Sequence, residues 1–176
     1  TSNSILGLFA NGSVNNVIEQ KTIASAANAT DFGDLTVART AAHATSNGHG
    51  GLEVFDKRAP ELYSPTGKPV GTDLGIMSGG NHASNNRQTT IQFIQIPTDG
   101  NAQDFGDCTI AVEAKGVVST NTRTIFAGGY TPSPAATYSD TRDYVSPQTK
   151  GNAADFGNLS VGRYGIMSGG NNTIGV

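Results

Sequence analysis

The sequence predicts an all-β fold assembled from repeated units, and three observations carry that expectation. The first is composition. The chain has 176 residues, of which 23 are glycine, 36% are hydrophobic and 14% are charged, with no Trp. Gly costs a helix about 1 kcal/mol per position, and Asn, Ser and Thr draw the backbone into turns and caps. The second is a ten-residue motif that occurs three times. The third is strand-type alternation, clearest over residues 90–96, where β-branched and aromatic residues alternate with Thr and Gln.

Residues 28–37 read Asn-Ala-Thr-Asp-Phe-Gly-Asp-Leu-Thr-Val, residues 101–110 read Asn-Ala-Gln-Asp-Phe-Gly-Asp-Cys-Thr-Ile, and residues 152–161 read Asn-Ala-Ala-Asp-Phe-Gly-Asn-Leu-Ser-Val. The anchors Phe32, Phe105 and Phe156 are 73 and 51 residues apart, so the period is 51 with an insertion of 22 in the first copy. A second motif accompanies the first. Ile125-Phe126-Ala127-Gly128-Gly129 has relatives at Leu8-Phe9-Ala10-Asn11-Gly12, Ile76-Met77-Ser78-Gly79-Gly80 and Ile166-Met167-Ser168-Gly169-Gly170. A period near 50 with an aromatic and Gly-Gly in each unit points to propeller blades of about four short strands. The expected elements are strands at 5–9, 14–23, 35–37, 88–96 and 124–127 with their copies, and no helix. One domain spans 1–176. Its units run from about 14 to 86 with an insertion at 47–73, from 87 to 140 and from 141 to 176, and residues 1–13 complete a blade.

Each repeated residue has an expected role. Asp31, Asp104 and Asp155 precede Phe-Gly and are expected to close an Asx-turn, with Gly33, Gly106 and Gly157 supplying positive φ. Phe32, Phe105 and Phe156 are expected to pack between neighbouring units. Cys108 stands where the other copies carry Leu35 and Leu159, which makes it a buried small hydrophobe and not a nucleophile. The Asp-x-x-Asp pairs Asp31/Asp34 and Asp104/Asp107 could offer oxygen ligands to calcium. Turn and cap hydrogen bonding is the simpler reading, because no copy has the carboxylate density of a calcium loop.

No catalytic set, cofactor site or metal site is expected. The three histidines, His43, His49 and His82, form no i, i+4 pair. No Gly-x-Ser-x-Gly elbow and no phosphate-binding loop is present. Asp-Phe-Gly also belongs to the kinase magnesium motif, but the kinase companions are missing and here it occurs three times. A net charge of −3 leaves no basic footprint for nucleic acid. No apolar run approaches the ~20 residues of a membrane helix, so membrane insertion is not expected. The one non-repeated feature is the insertion 47–73, which holds seven of the 25 charged residues. A loop that interrupts a repeat is either a tolerated excursion or a contact surface. Its candidate binding residues are Glu53, Asp56, Lys57, Arg58, Glu61 and Tyr63.

At these residues the chain resembles kelch-like β-propeller repeats. More narrowly, it resembles the Asn-Ala-Thr-Asp-Phe-Gly-Asp-Leu-Thr-Val-Ala-Arg repeats of bacteriophage structural proteins, especially those of phages infecting cyanobacteria. Residues 28–39 match throughout, whereas the second copy departs at Ala111-Val112-Glu113 and the third at Gly162-Arg163-Tyr164-Gly165. The resemblance implies a non-enzymatic virion protein, such as a fibre, decoration or other surface component. Its partners would be further copies of itself and other virion proteins, and its location the virion. The alternative is a glycan- or protein-binding propeller module in host attachment, with a host-surface glycan as partner and secretion as the other location. A kelch-type enzyme is the third reading. The copper ligands of that class have no counterpart here. Closed propellers have ~4–8 blades, and about three are present, so assembly of several copies is the expected completion.

Overall fold

The computed structural model describes residues 6–10, 15–46, 74–82, 86–96, 98–120, 122–132 and 135–169. Among these the chain is all-β and contains no helix. The insertion 47–73 lies outside the described residues, and with it Glu53, Asp56, Lys57, Arg58, Glu61 and Tyr63.

Fifteen strands follow in chain order. They are β1 (Leu6–Ala10), β2 (Asn15–Thr22), β3 (Thr30–Arg39), β4 (His43–Ser46), β5 (Leu74–Ser78), β6 (Asn81–His82), β7 (Asn86–Arg87), β8 (Thr90–Gln95), β9 (Gln103–Asp107), β10 (Gly116–Ser119), β11 (Thr124–Ala127), β12 (Tyr130–Thr131), β13 (Thr137–Tyr138), β14 (Thr141–Val145) and β15 (Ala154–Asn158). They form three main antiparallel sheets, β1-β2-β3, β4-β5-β8-β9 and β10-β11-β14-β15. Two-stranded hairpins, β6-β7 and β12-β13, interrupt the second and third sheets at the same place. No sheet closes on itself among the described residues.

The pairing register makes the units superimposable. Phe9 pairs with Glu19, Met77 with Gln92 and Phe126 with Asp143. These three pairs are equivalent positions, and they fix every other correspondence by counting along the strands.

Two apolar cores hold the sheets together, each shared between neighbours. One gathers Leu8, Ile18, Phe32 and Leu35 of the first sheet with Met77, Ile94, Ile96 and Ala102 of the second. The other gathers Ile76, Ile91, Phe93, Phe105 and Cys108 with Val117, Phe126 and Val145 of the third. Side chains at equivalent positions therefore fill the same gap twice. Burial of one such Phe contributes about 1.5–3 kcal/mol.

The structure changes two expectations. Asp-Phe-Gly does not form a turn between strands. It lies inside the outer strand of each sheet, and the register slips beside it, between Ile18 and Glu19, between Ile91 and Gln92, and between Thr141 and Asp143. Phe32 and Phe105 are the residues left over. Gly33 and Asp31 face Ile18 and Glu19, and Gly106 and Asp104 face Ile91 and Gln92. A bulge re-aims one side chain out of the sheet pattern, and here that side chain is the Phe that enters the shared core. Gly33 and Gly106, at φ 149° and 148°, complete the bulge. A local Asp bond does form in the third copy, where the Gly157 N–H donates to Asp155 Oδ1 at 2.9 Å.

The second change concerns β8. Its alternation suggests one wet face, yet Ile91, Gln92, Phe93 and Ile94 are all buried. Sheets cover both faces of this strand, and Gln92 is tolerated there because its side chain serves as a hydrogen-bond acceptor.

Candidate assembly interface

The residues that recur in the sequence meet at the boundaries between sheets, and they meet twice in the same geometry. At the first boundary the Gly100 N–H donates to the Phe32 carbonyl at 2.9 Å, and the Ala102 N–H donates to the Asp34 carbonyl at 2.8 Å. At the second the Gly151 N–H donates to Phe105 O at 2.8 Å and the Ala153 N–H to Asp107 O at 2.7 Å. Between each pair of backbone bonds an Asn side chain closes the clasp. Asn101 Oδ1 accepts from the Asp34 N–H at 3.0 Å, and Asn152 Oδ1 accepts from the Asp107 N–H at 3.0 Å. The Asn-Ala that opens each motif thus acts on the Asp-Phe-Gly of the motif before it, not on its own.

The fit leaves no room for a side chain at the middle of the clasp. A Cβ on Gly33 would collide with the Gly100 carbonyl oxygen, and one on Gly106 would collide with that of Gly151. Glycine is required twice over, by backbone conformation and by the approach of the next unit.

A second polar contact lies beside the clasp. The Thr36 N–H donates to Gln92 Oε1 at 3.1 Å. One unit later the Thr109 N–H donates to Asp143 Oδ2 at 3.0 Å, and the Thr109 hydroxyl donates to Oδ1 at 2.6 Å. Asp143 has two acceptor oxygens for two donors, whereas Gln92 Nε2 is buried without a partner. Arg39 is buried as well, donating through Nη1 to the Gly79 carbonyl at 2.8 Å and through Nε to Val37 O at 3.4 Å. Burial pulls its guanidinium below the usual range.

No family model matches the sequence, and no curated protein matches it.

The remaining candidate residues divide plainly. Phe32 and Phe105 sit in the two cores, whereas Phe156 is half-buried, with Tyr144 edge-on at 5.4 Å and Arg123 over its ring at 5.0 Å. Asp31, Asp104 and Asp155 are exposed. Among the described residues no three His, Cys, Asp or Glu side chains converge on a common point. Cys108 is a free, buried thiol, and desolvation pushes its pKa up although the nearby Lys115 opposes the shift. His43 lines a cavity of about 440 Å³ between the first two sheets, together with Leu8, Ile18 and Met77. Burial lowers its pKa.

Sequence reasoning finds the Phe and Gly of the joint but misses its polar half. Gln92 and Asp143 differ in type, so only their shared spacing of 51 residues betrays them. The Asn of the clasp is visible in every copy, but its partner lies 67 residues upstream for Asn101 and 45 for Asn152.

Proposed function

We propose that the chain is a non-enzymatic structural component of a bacteriophage particle, a fibre, decoration or other surface protein, built from kelch-like blades and completed by assembly with further copies. The blade reading draws support from antiparallel sheets whose strands run in chain order and repeat at 51 residues. The observation that carries the functional reading is the duplicated joint. The recurring Asn, Phe and Gly residues hold one unit on the next, which is the chemistry of a building element. The viral setting draws on the resemblance of the ten-residue motif to phage structural repeats, and it makes other virion proteins the further partners. Mass spectrometry and antibody labelling of gradient-purified particles of the encoding virus test it. The chain is expected at a fixed copy number on the particle surface, and its confinement to the soluble fraction of the lysate would overturn the proposal.

One observation favours attachment to a glycan as a second reading. Tyr130, Tyr138 and Tyr164 form a cluster with ring centres 5.1–5.7 Å apart, and Tyr138 and Tyr164 stack within 8° of parallel. Both stacked rings are more than half exposed. Aromatic faces displayed to solvent suit the apolar faces of sugar rings. Glycan-array binding that is lost in Tyr138→Ala and Tyr164→Ala variants is the expected result under this reading, and no binding by the wild type would sink it.

A further inference from the structure

The register that superimposes the units also shows what the first and third of them have left open. Phe9 occupies the position of Met77 and Phe126. Those two are 3% and 1% exposed, because each packs in a core with the Phe of the preceding unit. Phe9 is 59% exposed. Glu19 occupies the position of Gln92 and Asp143 and is exposed, whereas they are buried acceptors. Asn28 precedes Ala29 as Asn101 precedes Ala102, and both Asn28 and Ala29 are exposed, whereas Ala102 is buried.

The third unit is open in the complementary sense. Phe156 and Leu159 are half-buried where Phe32, Phe105, Leu35 and Cys108 are buried. The backbone N–H groups of Asn158 and Ser160 stand where Asp34 and Asp107, Thr36 and Thr109 donate across a boundary. Arg163 stands where Arg39 does and repeats its Nε bond, to Val161 O at 3.4 Å, but it is exposed.

Strand count agrees. The first sheet has three strands among the described residues, where the others have four, and the vacancy lies beside β1. Residues 166–169 follow Phe156 at the spacing by which β4 follows Phe32 and β10 follows Phe105. They lie against β10, as β10 lies against β4. The Ser168 hydroxyl donates to Val117 O at 2.8 Å and accepts from the Val117 N–H at 3.1 Å. This segment resembles β5 in its letters, yet it holds the place of a first strand, and Met167 within it is 94% exposed.

We infer that these two faces are the halves of one joint, and that the occupant of each is a second copy of this chain. Asn28 Oδ1 accepts from the Asn158 N–H of the neighbouring copy. The Glu19 carboxylate accepts from the Ser160 N–H and hydroxyl, as Asp143 does from Thr109. Phe9 covers Phe156. Residues 166–169 add to the free edge of β1 as its fourth strand, which is β-augmentation between copies. The contact is heterologous, so repetition gives a ring if the rotation closes and a filament if it does not. The inference rests on the assembly part of the proposed function and not on its viral setting.

Two blocking variants test it. Ala29→Trp fills the exposed side of the clasp, and Leu159→Asp places a charge in the apolar half on the other face. Each variant alone is expected to sediment as a single chain with wild-type strand signal in circular dichroism. Mixed in equal amounts they are expected to form a species of two chains and nothing larger, because one retains a free tail face and the other a free head face. Asn28→Ala, which changes only an exposed side chain, is expected to weaken association roughly 2- to 10-fold. It supplies the readout even if Leu159→Asp does not fold. Ala29→Trp or Asn28→Ala assembling as tightly as wild type would overturn the joint while leaving assembly intact. A wild type that stays monomeric at its highest soluble concentration would overturn the joint and the assembly reading together.

Discussion

Asn152 Oδ1 accepts a hydrogen bond from the backbone N–H of Asp107 at 3.0 Å, and so ties the third sheet to the outer strand of the second. Asn101 and Asp34 repeat the relationship one boundary earlier. Replacing Asn152 by Ala removes one partly solvated bond and is expected to cost about 0.5–1.5 kcal/mol, as is Asn101→Ala. Urea midpoints of the two single variants and the double check this. The two losses should add, because the two joints share no partner.

Phe105 and Phe156 are equivalent in sequence but not in burial. Phe105→Ala empties a core site and is expected to cost about 3–5 kcal/mol. Phe156→Ala, measured on the dissociated chain, is expected to cost about 1 kcal/mol. Equal losses in denaturant titrations would mean that Phe156 is as enclosed as its counterpart.

Gly106 and Gly151 both have φ of 148°, but only Gly106 has a neighbour where a Cβ would go. Gly151→Ala is expected to carry conformational strain alone, about 1–2 kcal/mol. Gly106→Ala adds a collision with the clasp and is expected to cost clearly more. Thermal melts of the two variants separate strain from collision.

His43 is held below its ordinary value near 6.5 by burial against the cavity between the first two sheets. The unfolded chain therefore takes up the proton first as pH falls. The contribution of His43 to stability is complete above about pH 6.5 and declines as pH drops from there through the folded value. Urea midpoints between about pH 8 and pH 5 should fall on acidification. The fall should be smaller in His43→Gln.

Cys108 is buried, and its thiol lies above its ordinary value near 9.0. A thiol starved of thiolate and shielded from solvent reacts slowly. Alkylation at neutral pH is expected to track unfolding, rising to the free-cysteine rate in denaturant. Rapid labelling of the folded chain would contradict this placement.

Much of the fold can be read directly from the sequence, because the repeat is local. Phe32 and Phe105 recur with their neighbours, so their shared environment follows from the letters alone. What could not be read depends on register. The motif looks like a turn until β2 and β8 are placed opposite it, where the unpaired Phe turns it into a bulge. The alternation of β8 looks half-wet because a single strand does not show that both of its faces are covered. Arg39 looks like a surface residue, and only the carbonyl of Gly79, 40 residues on, explains its burial. Asn28 and Glu19 could not be singled out at all, since their significance is positional and comes from what Asn101, Gln92 and Asp143 do in their own units.

The clasp always runs from one motif to the next, at a separation that changes only by the length of whatever lies between. Duplicating a 51-residue cassette would therefore carry a donor half and an acceptor half together, and the new boundary would come ready-made. A gene of this design can lengthen or shorten by unequal recombination without any compensating substitution at an interface. It can also accept a 22-residue passenger between two motifs, as the first unit does, while every contact on either side is preserved.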